Sequence, residues 1–315
     1  MPSLTHGDGN PGTRSGLATG IVVIGRNEGE RLRSCLQSAS RACDRVVYVD
    51  SGSRDGSPAM ARGFGIEVIE LDAASPFTAA RGRNAGFARL RALWPDTRFV
   101  QFIDGDCELD PRWLGAALLG IAREPHTAVV FGRRRERYPD KTLFNRVCDM
   151  EWDGLAGPTD CCGGDALVRV EAMLAVDGYD AGLIAAEDDD LCHRMRRLGW
   201  KIIRLPDEMT LHDVAMTTWW QWWQRNRRSG FAGAEAWHRR GAEDPRLIKH
   251  VVSNLLWGLP PFWLLWPMLW WRVYRRSGAV YATHIVLGKV PHCFGQLGFW
   301  WSNLRARKMR LIEYK

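Results

Sequence analysis

Residues 99–108 read Phe-Val-Gln-Phe-Ile-Asp-Gly-Asp-Cys-Glu, and no other stretch restricts the fold as much. The apolar start has strand character and is bounded by charge and glycine. It stops at two carboxylates, Asp104 and Asp106, with Gly105 between them. A buried strand that ends this way sets acids at the carboxyl edge of a sheet, where open α/β sheets bind ligands. The glycine lets the chain bend so that both carboxylates face one point. Two such oxygens suit a hard divalent cation, and Mg²⁺ recruits substrate phosphates as further ligands. A solvated turn would look the same in isolation, so the neighbouring segments decide.

Residues 20–25, Gly-Ile-Val-Val-Ile-Gly, form a short buried strand ending at Arg26-Asn27-Glu28. A helix follows with Leu32, Cys35 and Leu36 on one face. Residues 45–50 make a second strand, which runs into Asp50-Ser51-Gly52-Ser53-Arg54-Asp55-Gly56-Ser57 and a helix from about Pro58. Such a turn offers N–H groups and hydroxyls to a nucleotide. Residues 66–71 are a third strand. Residues 77–93 read as a helix that carries Arg81, Arg83 and Asn84. Strands alternating with helices predict an α/β fold, a mostly parallel sheet flanked by helices. In a parallel sheet Asn27, Glu28, Asp50, Asp104 and Asp106 share one edge and can surround one ligand.

Charge is uneven along the 315 residues. From residue 217 onward there are 16 Lys and Arg against 4 Asp and Glu, a balance of +12; the preceding part has 27 against 32, or −5. The same tail holds 12 of the 16 tryptophans. Basic residues interleaved with indoles point to an anionic membrane surface and away from nucleic acid. The eight cysteines show no C-x-x-C pair, as expected for reduced thiols in a cytosolic protein. Residues 1–18 are rich in Gly, Pro, Ser and Thr and read as a disordered leader.

The ordered set Ile24-Gly25-Arg26-Asn27-Glu28, Val49-Asp50-Ser51-Gly52-Ser53-Arg54-Asp55-Gly56-Ser57, Arg83-Asn84-Ala85-Gly86, Asp104-Gly105-Asp106, Gly163-Gly164-Asp165-Ala166 and Glu187-Asp188-Asp189-Asp190-Leu191 resembles family 2 glycosyltransferases with the GT-A fold. The resemblance spans residues 19–215, the expected catalytic domain. It implies a nucleotide-diphospho-sugar donor, UDP-sugar favoured, with Mn²⁺ or Mg²⁺. It assigns Asp50 and Ser51 to the base end of the donor and places Asn27, Glu28, Arg83 and Asp165 near the donor. Asp104 falls on ribose or sugar and on the metal, Asp106 on the metal, and His212 in Leu211-His212-Asp213 matches a third metal ligand. Asp188 matches the general base, which implies inversion at the anomeric carbon. Three aspartates follow Glu187, so Asp189 is the alternative base and Glu187 a candidate for the acceptor. Glu151 and Trp152 fall where such folds shape the acceptor pocket.

The resemblance further implies a lipid-linked or polysaccharide acceptor, the cytoplasmic face of the plasma (inner) membrane, and partners in a glycan assembly pathway. Residues 216–315 are expected to be a helical, membrane-associating tail. Thr217-Thr218-Trp219-Trp220-Gln221-Trp222-Trp223-Gln224-Arg225-Asn226-Arg227-Arg228 predicts an amphipathic helix on a bilayer surface. Gln224 to Arg228 resemble the Q-x-x-R-W element of processive polysaccharide synthases without its final tryptophan. Residues 251–271 carry no charge and have the length of a span. Pro260, Pro261 and Pro267 interrupt it, and Lys249, Arg272, Arg275 and Arg276 flank both ends. An in-plane or re-entrant hairpin is therefore the expectation. Two other readings make different demands on the sequence. A nucleotidyltransferase calls for a glycine-rich basic loop after the first strand, where Arg26-Asn27-Glu28-Gly29-Glu30 stands. An inactive membrane scaffold calls for loss of the strand-end acids, which are all present.

Overall fold

A computed structural model describes residues 18–305; the leader other than Ala18 and the last ten residues of the basic tail lie outside the described residues. In chain order the elements are β1 (Thr19–Gly25), α1 (Glu30–Ala42), β2 (Val46–Asp50), α2 (Ser57–Gly63), β3 (Glu67–Glu70), α3 (Ala79–Leu93), β4 (Phe99–Asp104), β5 (Cys107–Leu109), α4 (Trp113–Ala122), β6 (Thr127–Glu136), α5 (Leu143–Glu151), β7 (Gly157–Thr159), β8 (Ala166–Arg169), α6 (Val170–Ala175), α7 (Glu187–Arg197), β9 (Lys201–His212), α8 (Trp219–Arg240), α9 (Pro245–Gly258) and α10 (Trp266–Leu304).

One nine-stranded sheet has the order β3-β2-β1-β4-β8-β6-β9-β5, with β7 pairing β9. Its first half is parallel, as the alternating pattern predicts. Register sets the acids together: Gly25 lies opposite Asp50 and Ile24 opposite Asp104. The second half is mixed. β8 runs antiparallel to β4, with Ala166 opposite Phe102. The residue that precedes β8, Asp165, therefore arrives at the same edge as Asp104. β9 extends from Lys201 as far as His212. β5 pairs Cys107 with His212, which brings the imidazole beside Asp106.

Both faces of the sheet are covered. Leu32, Leu36, Trp113, Ala117 and Ile121 from α1 and α4 fill one side. Phe87, Leu90, Met173, Leu191 and Met195 from α3, α6 and α7 fill the other. These side chains are almost wholly buried, each worth about 1.5–3 kcal/mol relative to exposure.

The C-terminal helices depart from the expected surface-lying helix. α8 is 22 residues long, starts with a Thr218–Gln221 capping box, and is packed into the fold along α10. Glycines permit the close approach. A Cβ on Gly230 would stand 2.2 Å from the His292 carbonyl oxygen, and one on Gly295 2.0 Å from that of Arg227. A chain-only reading of residues 217–228 could not show this, because the partner glycine is some 60 residues away. Gly295→Val is expected to lower stability by at least about 1–3 kcal/mol, read from urea denaturation.

The apolar stretch 251–271 is divided. α9 ends at Gly258, a 3₁₀ turn covers Pro260–Leu265, and α10 begins at Trp266 with Pro267 in its first turn. α10 is itself broken at Gly278, whose φ is 78°. Among the described residues no helix is long and apolar enough to cross a membrane. The hairpin tip instead exposes Leu264, Met268 and Trp271, at 88%, 61% and 58%, beside the exposed Arg272, Arg275 and Arg276.

Candidate active site

A cleft of about 1030 Å³ opens at the carboxyl edge of β1 and β4. Its lining includes Asn27, Glu28, Ser51, Arg83, Asp104, Asp106, Trp152, Glu187, Asp188 and His212. Acids from β4, the turn after it and the start of α7 thus reach one space. Asp50, Asp165 and Glu151 do not line it.

Each position has a local cause. Asp104 ends β4, and its carboxylate accepts from Arg83 Nη2 at 2.8 Å and Arg134 Nη2 at 3.4 Å. Arg83 also donates to Glu187 Oε1 at 2.5 Å. Glu187, a candidate for the acceptor from the sequence resemblance, is therefore committed to Arg83. Burial opposes the Arg83 charge, but Asp104 and Glu187 outweigh it and hold the guanidinium firmly protonated. A Cβ on Gly164 would lie 2.4 Å from Arg83 Nη2 and 3.0 Å from Asp104 Oδ2. That glycine makes room for the ion pair. Arg83→Met would leave two carboxylates short of their partner and is expected to cost about 3–5 kcal/mol, seen as a lower urea midpoint.

Asp165 is fully buried. Its Oδ1 accepts from the Asp104 amide at 2.9 Å and its Oδ2 from Thr210 Oγ1 at 2.8 Å. Arg134 Nη2 lies 2.8 Å from Oδ2 as well. With both oxygens occupied, Asp165 fixes Asp104 from behind and is not among the cleft-lining residues, where the resemblance set it near the donor. Asp50 is likewise buried: Tyr48 Oη donates to Oδ1 at 2.8 Å and the Ser53 amide to Oδ2 at 2.7 Å. It shapes the turn whose Ser51 reaches the cleft. Asn27, at φ 55°, accepts from the Arg54 amide at 2.8 Å, and its own amide donates to Ser53 Oγ at 2.9 Å. These bonds clip the ends of β1 and β2 together. Glu28 pairs with Arg31 at 2.7 Å.

His212 Nε2 stands 3.1 Å from Asp106 Oδ2. Its other ring nitrogen is 3.8 Å from Glu136 Oε2, too long for a hydrogen bond. Trp152 packs edge-on against the imidazole, centroids 4.8 Å apart. Ligand atoms of Asp106, Cys107 and His212 all lie within 4.8 Å of one another. Burial, helped by nearby acids, pushes the Cys107 thiol well up. It stays protonated and is no ligand for a hard ion. Asp106 and His212 give oxygen and imidazole donors that fit Mn²⁺ or Mg²⁺. Asp104 is outside this cluster, drawn toward its two arginines.

α7 begins after Ala186, whose φ of 59° is left-handed, a strained state for a non-glycine that is common at functional sites. The turn aims Asp188 into the cleft. Burial, then the Glu187 charge, push the Asp188 carboxyl up to about 7, with Arg83 acting against them. Asp189 also lines the cleft, but its Oδ2 is held by Arg240 Nη1 at 2.6 Å. Glu151 belongs to a helix junction: Arg225 Nη1 donates to it at 2.6 Å and His284 Nε2 at 2.9 Å. Trp222 Nε1 donates to His284 Nδ1, so the proton sits on Nε2. Burial would raise the Glu151 carboxyl, but Arg225 and His284 outweigh it and hold it at about 2.

Sequence reasoning missed Arg134, Arg225 and Arg228. Arg134 stacks over Trp152 at 5.5 Å while bridging Asp104 and Asp165. The run Arg133-Arg134-Arg135 inside an otherwise apolar strand was its one visible signal.

A GT-A type sheet whose carboxyl edge gathers acids from separate segments defines a class of sugar-transfer folds. Residues 20–155 match the model of glycosyl transferase family 2. A mannosyltransferase from Pyrobaculum calidifontis, solved with GDP-Man and Mn²⁺, is 17% identical over 90% of this chain and 87% of its own, with a TM-score of 0.61. Glucosyl-3-phosphoglycerate synthase from Mycobacterium tuberculosis, solved with Mn²⁺, UDP and glucosyl-3-phosphoglycerate, is 16% identical over 73% and 82%, TM-score 0.52. TarS 1–349 of S. aureus is 14% identical over 93% of each chain, TM-score 0.51. A curated TPR repeat-containing protein of Synechococcus elongatus is 35% identical over 89 residues, 28% of this chain and a fifth (20%) of that protein's length.

Proposed function

We propose that this protein transfers a sugar from a nucleotide-diphospho-sugar, a UDP-sugar by preference, to a hydroxyl of a lipid-linked or polysaccharide acceptor. The observation that carries the reading is that Asp106, His212 and Asp188, from three distant segments, line one cleft at the carboxyl edge of a GT-A sheet. Solved structures of like fold hold Mn²⁺ with GDP-Man or UDP, which supports a divalent ion and a nucleotide donor here. Asp106 and His212 would hold that ion. When bound, it supplies Lewis-acid stabilisation to the leaving diphosphate.

The rest falls to the chain's own groups. Asp188 accepts the acceptor hydroxyl's proton as the oxygen attacks the anomeric carbon. The carbon–oxygen bond to the diphosphate breaks and a new one forms on the opposite face, with inversion. Arg83, Glu187, Arg134 and Asp165 lock Asp104 in place, so little reorganisation accompanies the reaction. Incubation with a panel of nucleotide sugars and Mn²⁺ tests the reading. Metal-dependent release of one nucleoside diphosphate is expected; no release from any donor would overturn it.

The cell site proposed is the cytoplasmic face of the plasma membrane, in glycan assembly, with the protein peripheral or monotopic. The exposed Leu264, Met268 and Trp271 beside three arginines support it. Leu264→Glu with Trp271→Glu changes only exposed positions. The double variant is expected to lose flotation with anionic liposomes that the parent chain retains; equal flotation would refute membrane anchoring through this tip.

A further inference from the structure

The cleft does not end at the acids. Its far wall is a single stripe of α8, at the three-and-four spacing of one helix face, that runs from Arg225 and Arg228 through Ala232 to Ala236. Leu247 and His250 of α9 complete that wall. One end therefore carries two arginines, Arg225 already paired with Glu151, and the other is slender and apolar. Carboxamide and acid side chains that would hydrogen-bond a run of sugar hydroxyls are missing from this stripe. Immediately beyond lies a second cavity of about 570 Å³, lined by Trp237, His238, Gly241, Pro245, Ile248 and Trp300. Leu247 faces the cleft while its neighbours in the same first turns of α9, Pro245 and Ile248, line that cavity. Adjacent residues of α8 (Ala236, Trp237) and of α9 (Leu247, Ile248) therefore line one space and the other. Ile248, Val252 and Leu256 continue an exposed apolar face along α9.

We infer that the acceptor is an amphiphile, with a phosphate-type anion set against Arg225 and Arg228 and a hydrocarbon chain that passes Ala232, Ala236 and Leu247 over the first turn of α9 into the Trp237–Trp300 cavity. The inference rests on the sugar-transfer reading and narrows it: of the two acceptor classes, the wall fits the lipid and not the polysaccharide. Both arginines are already oriented by protein partners, Arg225 by Glu151 and Arg228 by the Ile184 carbonyl at 3.1 Å. They present charge in a fixed place, as a bidentate anion site requires. Charge complementarity and the shared turn of α9 commit the apolar cavity to the tail of that same molecule.

The test is calorimetric binding of citronellyl phosphate, with inorganic phosphate and citronellol as separate arms, to the full chain. The ten-carbon chain should improve affinity over inorganic phosphate by roughly 100-fold or more. Arg228→Gln should weaken the amphiphile by roughly tenfold while leaving citronellol's affinity alone. Ala236→Trp should weaken both chain-bearing probes. Should that buried substitution disturb folding by circular dichroism, Ser229→Trp, on an exposed cleft position, replaces it. Inorganic phosphate binding as tightly as citronellyl phosphate would overturn the proposal, as would citronellol binding as tightly. UDP and GDP binding with Mn²⁺ is measured alongside. Nucleotide binding without amphiphile binding sinks the acceptor class alone, whereas amphiphile binding without nucleotide binding upholds this site and sinks the donor reading.

Discussion

Asp188→Asn is expected to lower sugar transfer by about 10²–10⁴-fold, the usual worth of a positioned base, and to leave the fold intact. The amide keeps the side chain's shape and the α7 start, and it removes the one group whose basicity suits the task. A carboxyl near the usual value would be a feeble base for an alcohol. Burial and the adjoining Glu187 raise this one to about 7, closer to the working pH. The sign follows directly. The base acts as carboxylate, so kcat/KM should fall as pH drops through about 7 and level off above it. Glu187→Gln removes the like charge and should carry that acid limb to lower pH. Asp189→Asn should have a smaller effect, because its carboxylate is already paired with Arg240. A pH profile of the three variants separates these cases. Full transfer by Asp188→Asn, or an acid limb unmoved in Glu187→Gln, would remove Asp188 from the role.

The strand ends were legible because two periodicities agree there. β1, β2 and β4 are short apolar runs, and each stops at a polar residue: Asn27, Asp50, Asp104. In a parallel sheet such stops must align. What was illegible depends on partners far along the chain. Nothing near Arg134 announces that Asp165, in another strand, will neutralise it. His212 read as a loop residue because Pro206, Asp207 and Glu208 break the apolar pattern of β9, yet backbone pairing to β6 and β5 carries the strand past them. Glu151 and Glu187 looked available as lone acids; each is held by an arginine that only tertiary packing supplies. The tail misled for the same reason. Its indoles and arginines do form a helix, but Gly230 and Gly295 pull that helix against α10 and turn one face to the cleft. Trp219 and Trp220 stay exposed at its start, and further exposed apolar surface falls on the hairpin tip.

Asp106→Asn should produce the second large loss, on the order of 10³-fold in transfer, since a divalent ion beside a leaving diphosphate is worth several kcal/mol. The structure separates the two aspartates of the Asp-Gly-Asp turn sharply. Asp104 is neutralised by Arg83 and Arg134, so it has little charge to offer a cation. Asp106 is buried, with the His212 imidazole 3.1 Å from Oδ2 and the Cys107 thiol beside Oδ1, and a buried carboxylate gains from a positive ion. Mn²⁺ binding, followed by titration calorimetry or by the loss of its solution EPR signal, should therefore weaken severely in Asp106→Asn and in His212→Ala. It should weaken much less in Asp104→Asn. Glu136→Gln, which removes the buried carboxylate 3.8 Å from His212 Nδ1, should cost about 10–100-fold in metal affinity. The binding readout does not depend on knowing the sugar donor, so it probes the ion site even before the donor is identified. Unchanged Mn²⁺ affinity in both Asp106→Asn and His212→Ala would place the ion elsewhere. Equal losses in Asp104→Asn and Asp106→Asn would mean that Asp104 leaves its arginines to share the ion, as the sequence resemblance implied.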